Sequence, residues 1–162
     1  ANRRHFDERL ATELRRACRN RLPVALLMVD VDSFKLFNDA FGHPEGDDCL
    51  RLIAATLSRL VRHPADLVAR YGGEEFAILL PGTGLPGASD VAEALRAAVT
   101  ALRMPHRTRA GVVTISVGAA VMLPDLAGDP VALVQAADRA LYRGKADGRN
   151  CVRVADMVAL TA

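Results

Sequence analysis

The adjacent glycines Gly72 and Gly73 constrain this chain most, because apolar runs flank them on both sides, Leu67 to Tyr71 before and Phe76 to Leu80 after. Two glycines in succession can take the positive φ values that a tight β-turn demands, so the pattern predicts a hairpin. Strands joined in this way run antiparallel, which makes the sheet mixed or antiparallel rather than doubly wound. Upstream, the run that follows Pro23 and ends at Asp30 is continuously apolar. Such a run suits a strand covered on both faces. Downstream, Val113, Ile115 and Val117 alternate with Thr114 and Ser116, the pattern of a half-buried strand.

Helical spacing marks the intervening segments. Phe6, Leu10, Leu14, Ala17 and Cys18 share one face of a helix that starts almost at residue 1. Phe34, Phe37 and Phe41 define a short helix stopped by Gly42, their spacing reading as core rather than base-stacking, and Leu50, Ile53, Leu57 and Leu60 define a longer one after Pro44. Val91, Leu95, Ala98 and Leu102 mark another, and Asp129-Pro130 is a cap and first-turn pair opening a helix with Leu133, Val134, Ala137 and Leu141 inward. The predicted order is α-β-α-α-β-β-α-β-α with a last strand near Val152. This is an α+β fold, a central mixed or antiparallel sheet flanked by helices. With no repeats or dividing linker, residues 1–162 are expected to form one domain, large enough to fold without disulfides or a structural metal.

Composition excludes several classes. The net charge is only +2, with acids and bases interspersed, so neither nucleic acid nor a membrane surface is an expected partner, and any polyanion bound should be small. Cys18, Cys49 and Cys151 are odd in number and widely spaced, which argues against a disulfide framework or a zinc site. They read as small buried hydrophobes in a reducing, cytoplasmic setting. The apolar runs are too short or too interrupted to span a bilayer, and the charged opening "ANRRHFDERL" is no signal peptide.

Chemistry centres on two acids. Asp30 leaves the first strand and Glu74 follows the glycine pair; if that strand lies beside the hairpin, both carboxylates reach one end of the sheet. Convergent carboxylates repel, and a hard cation such as Mg²⁺, held by one or two carboxylates plus substrate phosphates, relieves them. The glycines would also let backbone approach a triphosphate closely. Alone, Asp30 or Asp32 would read as a solvated strand end or cap, Asp47 as a complement to a helix dipole, Asn38 as a helix closer, and Lys145 and Arg149 as solvated charges. No GxxxxGK[ST] string is present, so P-loop chemistry does not compete.

Five strings, "VDVDSFKLFND", "GHPEGD", "RYGGEEF", "ISVGAA" and "ADRALYRGKADGRN", resemble in order and separation the motifs of the GGDEF-domain diguanylate cyclases, with "GGEEF" as the permitted signature variant. The resemblance runs from "NRRHF" to "GRN" and implies a fold like the palm of nucleotide cyclases and polymerases. It implies an enzyme that condenses two GTP into cyclic di-GMP with release of two pyrophosphates. Asp30, the Val31 carbonyl and Glu74 would hold Mg²⁺, for which Mn²⁺ could substitute; either Glu74 or Glu75 would assist deprotonation of the attacking hydroxyl. Asn38 and Asp47 would read guanine, Gly72 and Gly73 would border the substrate, and Lys35, Lys145 and Arg149 would contact phosphates, with Lys35 stabilising the transition state. His43 is read as ordering its loop.

One site holds one GTP while the product has two equivalent halves, so the resemblance implies a transient or regulated two-fold homodimer. "ANRR" stands where the family's longer "DxLTGLxNR" segment ends, which makes the chain look like a fragment of a longer protein with an upstream sensory domain. The alternative is a GGDEF domain without turnover that binds GTP or cyclic di-GMP; the intact signature argues against it. Many members carry an inhibitory RxxD five residues before the signature. Asp66 falls in register, but the arginine position is His63, and Arg62 is one residue out of register.

Overall fold

The computed structural model describes residues 1–108, 110–123 and 129–155. The elements run α1 (Arg3–Asn20), β1 (Val24–Val31), α2 (Phe34–Phe41), α3 (His43–Leu60), β2 (Leu67–Arg70), β3 (Glu75–Pro81), α4 (Leu85–Ala101), β4 (Ile115–Met122), α5 (Pro130–Ala146) and β5 (Val152–Val154). This is the predicted order, last strand included. The sheet order is β2-β3-β1-β4-β5. β1 is central, antiparallel to both β3 and β4, while β4 and β5 are parallel, so the sheet is mixed.

The continuous apolar run of β1 follows from that position. Ala25, Leu27, Val29 and Val31 face α2, α3 and α4, whereas Val24, Leu26 and Met28 face α1 and α5. Each fully buried aliphatic side chain here contributes roughly 1.5–3 kcal/mol. Local signals set the helix ends. The Asn2 side chain accepts from the His5 N–H, Asp129 accepts from Val131 N–H with Pro130 next to it, and Gly42 turns the chain between α2 and α3 at φ 92°. On the far side α5 packs so closely on β4 that a Cβ on Gly118 would lie 2.2 Å from the Ala137 carbonyl oxygen.

Three expectations need correction. Gly72 and Gly73 do not adopt positive φ, because the hairpin connection spans Tyr71 to Glu74 rather than two residues. The Tyr71 and Gly72 N–H groups donate to the Glu75 carbonyl, and the Arg70 guanidinium donates to the Gly72 and Gly73 carbonyls. β4 is not half-buried, since its polar alternates Thr114 and Ser116 are buried too; their hydroxyls face a buried carboxylate instead of water. Cys18 is exposed, while Cys49 is buried as expected and Cys151 is half-buried.

Candidate active site

The site lies where the central strand runs out. Asp30 stands directly across from Glu75 on β3 and from Ser116 on β4. One residue on, the Val31 N–H donates to the Glu74 carbonyl at 3.2 Å, stitching the end of β1 to the signature loop. Asp30 and Glu74 therefore fall at the same end of the sheet.

Asp30 is only 7% exposed, and its Oδ2 lies 2.8 Å from the Lys145 ammonium. Burial pushes its carboxyl above the ordinary value; the Lys145 hydrogen bond and charge oppose this, and Glu74 and Glu75 push it further up. A buried carboxylate with two acidic neighbours and one ammonium is short of positive charge. The available donors are all oxygens, which fits a hard divalent cation rather than a soft one. Asp138 on α5 feels the same cluster, its carboxyl raised by burial first and by Glu75 next.

Beside this junction opens a cleft of about 470 Å³, lined among others by Lys35, Asn38, Asp47, Arg70 and Glu74. α2 supplies Lys35 and Asn38, and the first turns of α3 supply Asp47. The two helices meet tightly, because a Cβ on Gly46 would stand 1.9 Å from Asn38 Oδ1. That oxygen is buried and has no hydrogen-bond partner among the described residues. Asp47 and Lys35 are exposed toward the cleft mouth, and Gly73 and His43 also line it.

Not every expected residue borders this cleft. Asp30, Val31, Gly72, Glu75, Lys145 and Arg149 lie outside its lining. Lys145 reaches the junction through Asp30, from the α5 side of the sheet. Arg149 sits beyond α5, exposed, at φ 65°. Phe34, read as core, is buried and also forms part of the cleft wall.

Two residues escaped the sequence reading. Arg70 lines the cleft and holds the signature loop by its carbonyls; its place directly before "YGGEEF" was the available signal. Asp32, taken for a solvated strand end, is 5% exposed and accepts three hydrogen bonds. No local pattern announced that.

Residues 1–151 match the family profile described as "Diguanylate cyclase, GGDEF domain". The chain belongs to the GGDEF-domain diguanylate cyclase family. It is 40% identical over 154 residues to the diguanylate cyclase DgcP of Pseudomonas aeruginosa, covering 95% of this chain and 22% of that protein. It is 41% identical over 154 residues to the response regulator PleD of Caulobacter vibrioides, covering 93% and 33%. The chain thus spans about a fifth to a third of these two relatives. The GGDEF domain of DgcB from Caulobacter crescentus, solved in complex with c-di-GMP, superposes with a TM-score of 0.88 at 34% identity, over 96% of this chain and 89% of that one. The active GGEEF domain of a Vibrio cholerae diguanylate cyclase gives 0.87 at 29% identity, over 97% and 98%. The GGDEF fold is thereby established, and the family's chemistry implies a divalent metal. Among the described residues no helix is long and apolar enough to cross a membrane.

Proposed function

We propose that this domain condenses two GTP molecules into cyclic di-GMP, and that Mg²⁺ is its metal. The observation that carries the reading is the stitch between Val31 and Glu74. It ties the end of β1, next to Asp30, to Glu74, which lines a cleft together with Asn38 and Asp47, an amide and a carboxylate suited to a guanine edge. The chemistry transfers a nucleotidyl group. The 3′-hydroxyl oxygen of one GTP forms a bond to the α-phosphorus of the other as the bond to the β-phosphate oxygen breaks, pyrophosphate leaves, and the hydroxyl proton passes to a carboxylate and then to water. Repetition in the opposite sense closes the ring.

Each residue has a task in that reading. Asp47 accepts from guanine N1–H and the exocyclic amine, and the Asn38 amide answers the O6 side of the base; either amide orientation leaves one polar atom for the ligand. Lys35, Lys145 and Arg149 draw the phosphates to the end of the sheet. Glu74 or Glu75 takes the hydroxyl proton. Asp30, Glu74 and the Val31 carbonyl would hold Mg²⁺, which supplies charge for the attacking and leaving oxygens. Among the described residues no three His, Cys, Asp or Glu side chains are grouped to hold a metal; water and substrate phosphates would complete its shell.

The product needs two equivalent bonds from two equivalent sites, so two domains must face each other across a two-fold axis. Product analysis by mass spectrometry after incubation with GTP and Mg²⁺ tests the reading. Expected are cyclic di-GMP, two pyrophosphates per ring, and specific activity that rises with enzyme concentration. GTP binding without product, persisting in an artificially dimerised fusion, would assign the domain to nucleotide binding alone.

A further inference from the structure

We propose that Asp32 is a positioning residue that sets the spacing between two cationic arms of the phosphate site, Lys35 on α2 and the Lys145–Arg149 segment at the end of α5. The inference rests on the GTP reading above and deepens it. Asp32 itself lies outside the cleft lining.

Its carboxylate ties three distant pieces of chain together. Oδ1 accepts from the Ser116 hydroxyl at 2.6 Å, and Oδ2 accepts from the Thr114 hydroxyl at 2.7 Å and from the Asn150 N–H at 3.0 Å. The Asp32 N–H in turn donates to the Thr114 carbonyl at 2.9 Å. The start of β4 and the residue before it thus grip the short connection that follows Val31 and leads into α2 and Lys35. The bond from Asn150 fastens the far end of the phosphate arm to the same point.

That arm needs fastening. Gly148, Arg149 and Asn150 follow one another at φ 114°, 65° and 45°, a conformation that non-glycine residues hold only when surrounding contacts over-determine it. Three such contacts are present. The Arg149 N–H donates to the Gly144 carbonyl at 3.0 Å, the Asn150 side chain accepts from Arg96 at 2.8 Å, and the Asn150 N–H is held by Asp32. Without the last, Arg149 is free to leave its strained backbone and the distance between the arms is no longer set. An aspartate suits the position because all three groups facing it donate, and a carboxylate only accepts.

The test compares the parent with Asp32→Asn in binding a GTP analogue with a methylene between the α- and β-phosphorus, which cannot turn over, and in binding guanosine. Positioning predicts analogue affinity about tenfold weaker, unchanged guanosine affinity, and loss of exchange protection at the Asn150 amide. Parent-like analogue affinity in the folded variant overturns the inference. An equal loss for guanosine and analogue also overturns it, by showing a general structural role. Should Asp32→Asn fail to fold, Ser116→Ala removes one donor without changing the carboxylate and is expected to weaken the analogue alone by about threefold; no such selective loss overturns the inference. A parent chain that binds no analogue sinks the GTP reading itself, whereas a failure confined to the variants leaves that reading standing.

Discussion

The Lys145 ammonium lies 2.8 Å from Asp30 Oδ2, so a side chain from the last helix lies against a carboxylate at the end of the central strand. A cation drawn to Asp30 must share that carboxylate with Lys145 or displace it. Displacement would release the ammonium toward a nearby phosphate. In the proposed reading the pair would link metal entry to the availability of a phosphate ligand.

The same carboxylate is expected to trade stability for function. A carboxyl raised by burial above its ordinary value opposes folding while ionised and ceases to do so as pH falls through its folded-state value. Asp30→Asn removes that cost, and Lys145, a third exposed, can turn to water. The variant should melt at or above the parent's temperature while turnover falls by about a hundredfold or more. Differential scanning fluorimetry beside the product assay checks both; a folded variant with normal turnover would remove Asp30 from the site.

Base selection should depend on the contact between Gly46 and Asn38. A methyl at position 46 would stand 1.9 Å from Asn38 Oδ1 and 3.2 Å from the Phe34 ring, so Gly46→Ala must push the amide aside. GTP affinity is expected to drop about tenfold or more with the melting temperature changed by only a few degrees, as when one polar partner of a ligand is lost. Asp47→Ala, exposed at the cleft mouth, should weaken GTP similarly and leave the fold untouched. Equal affinity of the parent for ATP and GTP would contradict the guanine assignment, because a site built for one hydrogen-bonding edge leaves its polar groups unpaired with another.

The architecture was legible where it rests on periodicity. β1 shows its double burial as an unbroken apolar run, and the hairpin shows itself by two apolar runs around Gly72-Gly73. That Asp30 and Glu74 fall at one end of the sheet was legible because strand ends are visible in such patterns. Asp32 was not, since its donors Thr114, Ser116 and Asn150 come from 82, 84 and 118 residues downstream. For the same reason β4 looked half-solvated: alternating Thr and Ser cannot reveal whether their hydroxyls face water or a buried acid. The turn geometry was misjudged because two glycines suggest positive φ, whereas neither adopts it; a Cβ on Gly72 would meet Glu75 Oε2 at 2.5 Å, the end of a side chain that can turn aside.

The thiols should sort by burial. Cys49 is 4% exposed, and burial pushes its thiol up to about 11, so at pH 8 almost none is thiolate and reagent cannot reach it. Cys18 is exposed. Peptide mapping after brief treatment with a maleimide should find Cys18 modified and Cys49 modified only once denaturant is added. Rapid labelling of Cys49 in the folded chain would mean that α3 opens from the sheet far more readily than its packing implies.

Feedback by product should be weak. The family's inhibitory motif has an arginine where this chain has His63; the arginines nearby, Arg16 in the pocket shared with His63 and Asp66 and Arg9 on the Ala65 carbonyl, come from α1 and lie outside that motif. His63 Nδ1 accepts from the Ala65 N–H at 3.3 Å and lies 4.0 Å from Asp66 Oδ1. Arg62, one residue out of register, is turned back onto the end of α3, its Nε donating to the Arg59 carbonyl at 2.7 Å. Bringing it into the gap would cost that bond. Asp66 keeps its place, with a carboxyl pushed up by burial and drawn down less strongly by His63. A guanidinium offers a permanent charge and a fixed fork of donors, and histidine at most two donors. Losing one charge-assisted contact costs about 1.5–3 kcal/mol, or roughly ten- to a hundredfold in product affinity. Titrating cyclic di-GMP into the product assay of the parent and of His63→Arg should show inhibition in the variant at concentrations roughly ten- to a hundredfold lower. A parent inhibited as tightly as the variant would show that an arginine at this position is dispensable.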